Sequence, residues 1–435
     1  MRSPKLRSGL AVFAGMILTT ALVSAPAAAD QSRSGRFEPV CEGKLARVAC
    51  QVQKLVGGSY EAPIGWGAQD LQQSHDIPAT SPNAGTVAII DVGAYPTLES
   101  DLGVYRAQYG LPPCTSASGC FRQLDFRGGP PLAPTAGADG AAVDEQIAVE
   151  TALDVDMASA ACPNCRIMEI QIPQSELPST DQNGTVNYDG YAAAFGTAVQ
   201  TAVAQGANAV SISYGLPGDD AMLHGPVAAQ LAPHGVAVVA SSGDSGFEAN
   251  EYLWPQALPT VTAVGGTELV KQSDRYSEGA WSGAGSSCAP GAPPPLSQPG
   301  DVSTTCVGAR AGVDVSAVAD NLAIYVTYSP QTNHPLGWTV VAGTSASSPF
   351  VAGVYAASGS LARVLGPNLL YELDPAGFND VTSGTNGGIS NGRCLPPSGG
   401  VPADPKQTFD GRLCSAGAGW DGPTGRGTPH GLFRF

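Results

Sequence analysis

The stretch Gly343-Thr344-Ser345-Ala346-Ser347-Ser348-Pro349 sets a serine where a glycine turn runs into the apolar residues Phe350 to Tyr355. A helix start has unpaired N–H groups and a positive dipole end, so the Ser345 oxygen can attack there while nearby negative charge is stabilised. Pro349 is expected in the first helical turn, where its missing N–H costs nothing. The competing reading is a Ser/Thr cap on an ordinary helix. A second pair of chemical groups, Glu150 and Asp154, is spaced i and i+4 within a run, Ala148 to Ala161, whose composition predicts a helix. That spacing puts the carboxylates on one face with Cβ atoms about 5–6 Å apart. Such a pair destabilises a helix unless it shares a proton, which raises one pKa and makes a base fit for acid; otherwise it is a solvated face. A third group, Asp244, lies in Ser241-Ser242-Gly243-Asp244-Ser245-Gly246, directly after the apolar run Val236 to Ala240. Ionised, it would repel a developing oxyanion; protonated, it would donate a hydrogen bond to one. The alternative is an aspartate in a glycine-rich turn.

A nucleophilic serine needs a base, and histidine is the usual one. The five histidines, His75, His224, His234, His334 and His430, each neighbour proline, glycine or a loop, and none sits in a His-Gly-Thr-His setting. All five read as surface or loop residues, which directs the search for the base to Glu150.

These residues need elements to position them. Thr86 to Asp91, Arg166 to Ile170, Ala209 to Ser213, Val236 to Ser241 and Thr260 to Val264 read as strands. Leu98 to Tyr109, Tyr191 to Gln205 and Met222 to Leu231 read as helices between them. Short strands without polar alternation, separated by helix-length segments, predict a doubly wound, mostly parallel α/β sheet with helices on both faces. Sites in such sheets lie at the carboxyl ends of the strands. Ser282 to Pro299 and Gly384 to Gly400, rich in small residues, read as surface loops.

Composition limits the partners. Net charge is −16, and removal of Arg2, Lys5 and Arg7 with a leader makes it more negative; nucleic acid and anionic membranes are therefore excluded as expected partners. An acidic, lysine-poor surface also avoids positive self-repulsion in acid. Those basic residues, the apolar run Gly9 to Val23 and Ala27-Ala28-Ala29 predict a secretory signal peptide over 1–29. No later run approaches the ~20 apolar residues of a membrane span. Ten cysteines fall into near-neighbour couples, Cys41/Cys50, Cys114/Cys120, Cys162/Cys165, Cys288/Cys306 and Cys394/Cys414, most simply five local disulfides in an exported chain. A redox or zinc role for Cys162-Pro163-Asn164-Cys165 is the alternative for that couple.

Together the three chemical segments resemble the sedolisins, or serine-carboxyl peptidases, acid-active relatives of the subtilisins, over about residues 58–435. The resemblance rests on Gly343 to Pro349 (Gly-Thr-Ser-x-x-x-Pro), Glu150 and Asp154 (Glu-x-x-x-Asp), and Ser242 to Gly246 (Ser-Gly-Asp-Ser-Gly). Val264 to Thr267 and Ser211 to Gly215 look like further family segments, the latter beside a bound peptide. The resemblance implies a subtilisin-like fold in one catalytic domain, 61–435. Ser345 would be the nucleophile, Glu150 its base, Asp154 the residue that orients Glu150, and Asp244 the oxyanion acid. It also implies a calcium site in the region 378–425, held by Asp380 and Val381 with Gly417, Gly419 and Asp421; carboxylates and glycine-turn carbonyls suit a hard cation.

Polypeptides are the expected substrates, and a monomer is expected. Relatives carry a large propeptide, whereas a short polar segment, 30–60, precedes the domain here: the enzyme folds unaided, that segment is a minimal lock, or a helper acts in trans. The expected function is that of a secreted acid endopeptidase. The alternatives are a tripeptidyl exopeptidase, a neutral subtilisin-like peptidase using Asp91 of Asp91-Val92-Gly93 with a histidine, and a secreted binding protein on a retired scaffold.

Overall fold

The computed structural model describes residues 36–41, 50, 52–57, 59–359, 361–395 and 409–432; the expected leader, 1–29, lies outside them. In chain order the elements that matter here are β1 (Phe37–Pro39), β2 (Gln53–Leu55), α1 (Ala68–Ser74), β3 (Thr86–Val92), α2 (Leu98–Gln108), β4 (Phe121–Asp125), α3 (Ala138–Ala161), β5 (Arg166–Ile172), α4 (Asp189–Ala204), β6 (Ala209–Ile212), β7 (Ala237–Ser241), β8 (Thr262–Gln272), β9 (Arg275–Ala280), β10 (Val315–Val318), β11 (Leu322–Val326), β12 (Gly337–Ala342) and α5 (Thr344–Ser358).

The main sheet has the order β9-β8-β7-β6-β3-β5-β4, with β10 also on β8. Every pairing is parallel except β8 with β9. The pleat explains why its strands are apolar throughout: successive side chains point to opposite faces. Val87 and Ile89 join a core with α1, α2, α3 and α5, while Ala88 and Ile90 join a second core with α4. Helices therefore cover both faces, as the uninterrupted apolar runs predict.

α3 begins ten residues before the predicted Ala148 and is fully buried from Ile147 onward. At ~1.5 Å per residue its 24 residues make a rod of about 36 Å through the core. α5 lies against it closely: a Cβ added at Gly353 would come within 2.6 Å of the Ala161 Cβ. Glycine at that position lets the helix bearing Ser345 approach the helix bearing Glu150.

Several expectations need correction. Met222 to Leu231 is two short helices, Asp220–His224 and Pro226–Gln230, because Pro226 has no N–H to continue the first and instead opens the second. The strand expected at Thr260 runs instead from Thr262 to Gln272 and returns as β9. Pro349 sits in the second turn of α5 rather than the first, so the Ser345 carbonyl loses its helical donor; the Ser213 hydroxyl donates to it at 3.3 Å. All five near-neighbour disulfides form, including Cys162–Cys165, and no free cysteine remains. A four-stranded sheet, β1-β2-β12-β11, leads directly into Gly343 and was not foreseen.

Candidate active site

The carboxyl ends of β3, β6 and β7 converge on the N-terminus of α5, where Ser345 is the second helical residue. β12 delivers the chain through Gly343 at φ 151°, a conformation open to glycine. After β7 the chain turns at Gly243, φ 108°, and presents Asp244 to that helix end. The Thr344 N–H donates to Asp244 Oδ1 at 2.8 Å and its hydroxyl at 3.0 Å. One oxygen of Asp244 thus caps the helix, while Oδ2 is buried with no partner. Burial, opposed by the Thr344 bonds, pushes this carboxyl up to about 8. That shift favours the protonated carboxyl, whose Oδ2 has no other partner.

Glu150 and Asp154 do share one face of α3, and both are completely buried. Ser345 Oγ faces the Glu150 carboxyl closely enough to oppose the shift of its pKa, yet neither group closes an aligned hydrogen bond. Such contacts are often loose before substrate arrives. Burial raises Glu150 well above the usual carboxylate range, with Asp91 and Asp244 adding to it. Asp154 is raised too, by burial and then by Asp91 and Glu150. Ser213 donates to Asp154 Oδ1 at 2.9 Å, tying the end of β6 to the pair.

Sequence reasoning placed Asp91 only in a histidine-dependent alternative. It is fully buried at the end of β3, accepts a bond from the Tyr214 hydroxyl at 3.2 Å, and is pushed by burial up to about 7. Asp91, Glu150 and Asp154 repel one another electrostatically, so the site buries three acids that cannot all ionise. The signal that could have found it is the Asp-Val-Gly turn ending an apolar strand, read with Tyr214 after a neighbouring one.

No histidine takes part. His224, His234 and His334 are exposed, and His430 lies 2.8 Å from Asp76. His75 departs from expectation: it is buried at the end of α1, with Nδ1 2.8 Å from the Leu71 carbonyl and Nε2 3.3 Å from Glu278.

Farther along the chain, the Gly419 N–H donates to Asp380 Oδ2 and the Gly417 N–H to Asp421 Oδ2, each at 3.0 Å. Asp421 is buried and raised to about 7 by burial, with Asp380 contributing. Asp380 and Asp421 repel one another, and two such carboxylates are the kind of oxygen ligand that could hold a hard cation such as calcium. Among the described residues no cluster of three acidic, histidine or cysteine ligands occurs, so backbone oxygens would have to complete any such site.

The Subtilase family model (Peptidase_S8) matches residues 145–368. Kumamolisin of Bacillus sp. (strain MN-32) is 28% identical over 432 residues, covering 89% of this chain and 67% of that protein. The structure of Pseudomonas sedolisin, a serine-carboxyl proteinase complexed with two molecules of pseudo-iodotyrostatin, superposes with a TM-score of 0.59 at 23% identity, covering 85% of this chain and 96% of that one. The family model takes in more than half of the 435 residues, including Glu150, Asp154, Asp244 and Ser345. The chain is therefore a member of the subtilase family, similar within it to the sedolisins, and a serine-type peptidase.

Proposed function

We propose that this protein is a secreted, acid-active endopeptidase that works through Ser345, Glu150 and Asp154 with Asp244 as oxyanion acid. The observation that carries the reading is a helix-start serine facing a buried carboxyl pair, with no histidine beside it. Ser345 Oγ attacks the peptide carbonyl and its proton passes to ionised Glu150. Asp154, keeping its own proton, holds Glu150 in place, and Asp244 Oδ2–H donates to the oxygen that gains charge. Glu150 then protonates the leaving amine. Water, activated by the same carboxylate, hydrolyses the acyl-enzyme.

The upper pH limit follows from the same site. Activity needs Asp244 protonated, which fails as pH rises through about 8. Five disulfides support an oxidising, extracellular setting. Asp380, Asp421 and the carbonyls of Val381, Gly417 and Gly419 would hold one calcium ion, which would neutralise the two carboxylates and fix the C-terminal loops. Chelation would then lower the melting temperature, and added calcium would restore it.

The test is a casein digest across about pH 3 to 8 with wild type, Ser345→Ala, Glu150→Gln and single alanine variants of the five histidines. The expected result is loss of turnover in the first two variants and none in the histidine series. Turnover confined to the alkaline end, or abolished by a histidine change, would sink the reading.

A further inference from the structure

A pocket opens beside the turn that carries Asp244. Its wall includes Ser242, two residues before Asp244, and Gly285, whose N–H donates to the Gly243 carbonyl at 2.7 Å. Ala257 and Ala289, also in the wall, belong to the core on the α4 face of the sheet, opposite the face that α5 covers. Exposure rises from buried Gln256 through half-buried Glu248 to exposed Glu251, which marks the open end. The carbonyl that Ser345 attacks sits at Asp244, so the substrate side chain nearest this pocket is that of the residue supplying the carbonyl.

The pocket is rich in acceptors. Gln256 Nε2 donates to the Ser241 carbonyl at 2.6 Å, which leaves Oε1 as the free end, and both Gln256 Oε1 and Ser242 Oγ are buried with no partner. Glu248 adds a carboxyl that is raised by burial and then by Glu251. Burial, followed by Asp219 and Asp220, raises the Tyr252 hydroxyl, which puts those two aspartates near the same rim. The cations close by are already matched: Arg310 is held by Asp314 at 2.5 and 2.7 Å, and His224 faces Asp220 at 3.7 Å. The centre of a water-sized group has about 30 Å³ here, where a bound water needs about 10–15 Å³. A lysine ammonium, a compact charge with three donors and no acceptor, matches that space and those oxygens; a planar guanidinium is larger.

We propose that this pocket takes the side chain on the N-terminal side of the cut and selects lysine there, with Gln256 Oε1, Ser242 Oγ and the Glu248 carboxylate receiving the ammonium. Where the chain is cut rests on the peptidase reading above; the capture of lysine does not. The ammonium offsets the repulsion between Glu248 and Glu251, while the aliphatic stem lies along Ala257 and Ala289. Norleucine fills the place of the stem but leaves the acceptors unpaired, and glutamate is repelled by the same carboxylates. None of the three groups that hold the ammonium moves the Ser345 proton, so the pocket sets where a chain is cut and not how.

The experiment has two arms. In the first, quenched-fluorescence peptides that differ only in lysine, arginine, norleucine or glutamate before the cut are digested at about pH 6, and product masses locate the bond. Lysine is expected to exceed norleucine at least about tenfold in kcat/KM and to exceed arginine as well. The lysine-to-norleucine ratio is expected to fall about tenfold in Glu248→Gln, with exposed Glu251→Gln as the alternative should the first not fold. Glu248→Lys is expected to turn the preference toward glutamate, which lost packing alone would not do. The second arm needs no turnover: labelled lysine and norleucine peptides are titrated into Ser345→Ala with and without Glu248→Gln, and the lysine peptide is expected to bind at least about tenfold tighter only where Glu248 is kept. Norleucine or arginine cut as fast as lysine, equal binding of the two peptides, or a ratio that neither glutamine variant lowers overturns the pocket and leaves the peptidase reading standing. Tighter binding of the lysine peptide with no hydrolysis by the wild-type chain overturns the peptidase reading and keeps the pocket.

Discussion

Asp244 offers the sharpest test of how this site handles charge. Its Oδ1 is committed to Thr344, at 2.8 Å from the N–H and 3.0 Å from the hydroxyl, while Oδ2 is buried and free. Asparagine keeps both functions, a carbonyl for Thr344 and an N–H donor in place of Oδ2–H, but cannot ionise. Alanine keeps neither. Loss of one oxyanion donor costs about 10²–10³-fold in kcat, or about 2.7–4 kcal/mol. Asp244→Ala is expected to fall by that much near pH 5, and Asp244→Asn to stay within about tenfold of wild type. The pH dependence separates the roles. With a carboxyl pushed up to about 8, wild type is almost fully protonated at neutral pH and about one-tenth protonated one unit above that value. The ratio of Asp244→Asn to wild-type kcat/KM should therefore climb about tenfold between pH 7 and 9, and as a ratio it cancels the titration of Glu150. Initial rates on a quenched-fluorescence peptide, with unfolding checked separately at each pH, supply the numbers. A flat ratio, or an alanine variant as active as wild type, would refute the protonated-donor argument.

Two further outcomes concern stability. Asp156 is buried with Oδ1 unpartnered, and burial holds its carboxyl well above the usual range. A raised folded pKa means that the stability contribution is complete below the unfolded value of about 3.9 and is lost as pH rises toward the folded one. Asp156→Asn should therefore melt like wild type near pH 3 and at higher temperature near pH 8; an equal shift at both would disprove the burial argument. Gly353→Val places a side chain against Ala161 and the Ala158 carbonyl, 2.6 and 3.1 Å from the new Cβ. Overpacking of this kind costs about 1–3 kcal/mol and should lower kcat as α5 moves off α3; chemical denaturation and steady-state rates measure both, and unchanged values would mean that the helices do not need their close approach.

How much of this was legible beforehand depended on the range of the interaction. The Glu150 and Asp154 pairing is a property of helix pitch, so spacing alone put the two on one face. Near-neighbour cysteines close loops of at most 20 residues, and all of them paired as their spacing suggested. Runs such as Thr86 to Val92 are apolar at every position, and a strand of that kind needs cover on both faces wherever it lies. Met222 to Leu231 misled because apolar spacing outweighed Gly225-Pro226, and His75 because its polar neighbours, Ser74 and Asp76, say nothing about burial.

The sequence by itself determined the helix-start serine, the carboxyl pair one turn apart and the five disulfides, which follow from contacts between residues close in the chain, and the parallel sheet, whose uninterrupted apolar strands need cover on both faces. Tertiary structure alone decided that Asp91 and Tyr214 join the pair, that Ser213 replaces the donor Pro349 lacks, that Asp244 keeps a free buried oxygen, and that β2 pairs with the end of β12. Each of these depends on desolvation or strand pairing between segments tens to hundreds of residues apart. A carboxylate in water and the same carboxylate in a dry pocket are spelled with the same letter, and only the fold supplies the dielectric that tells them apart.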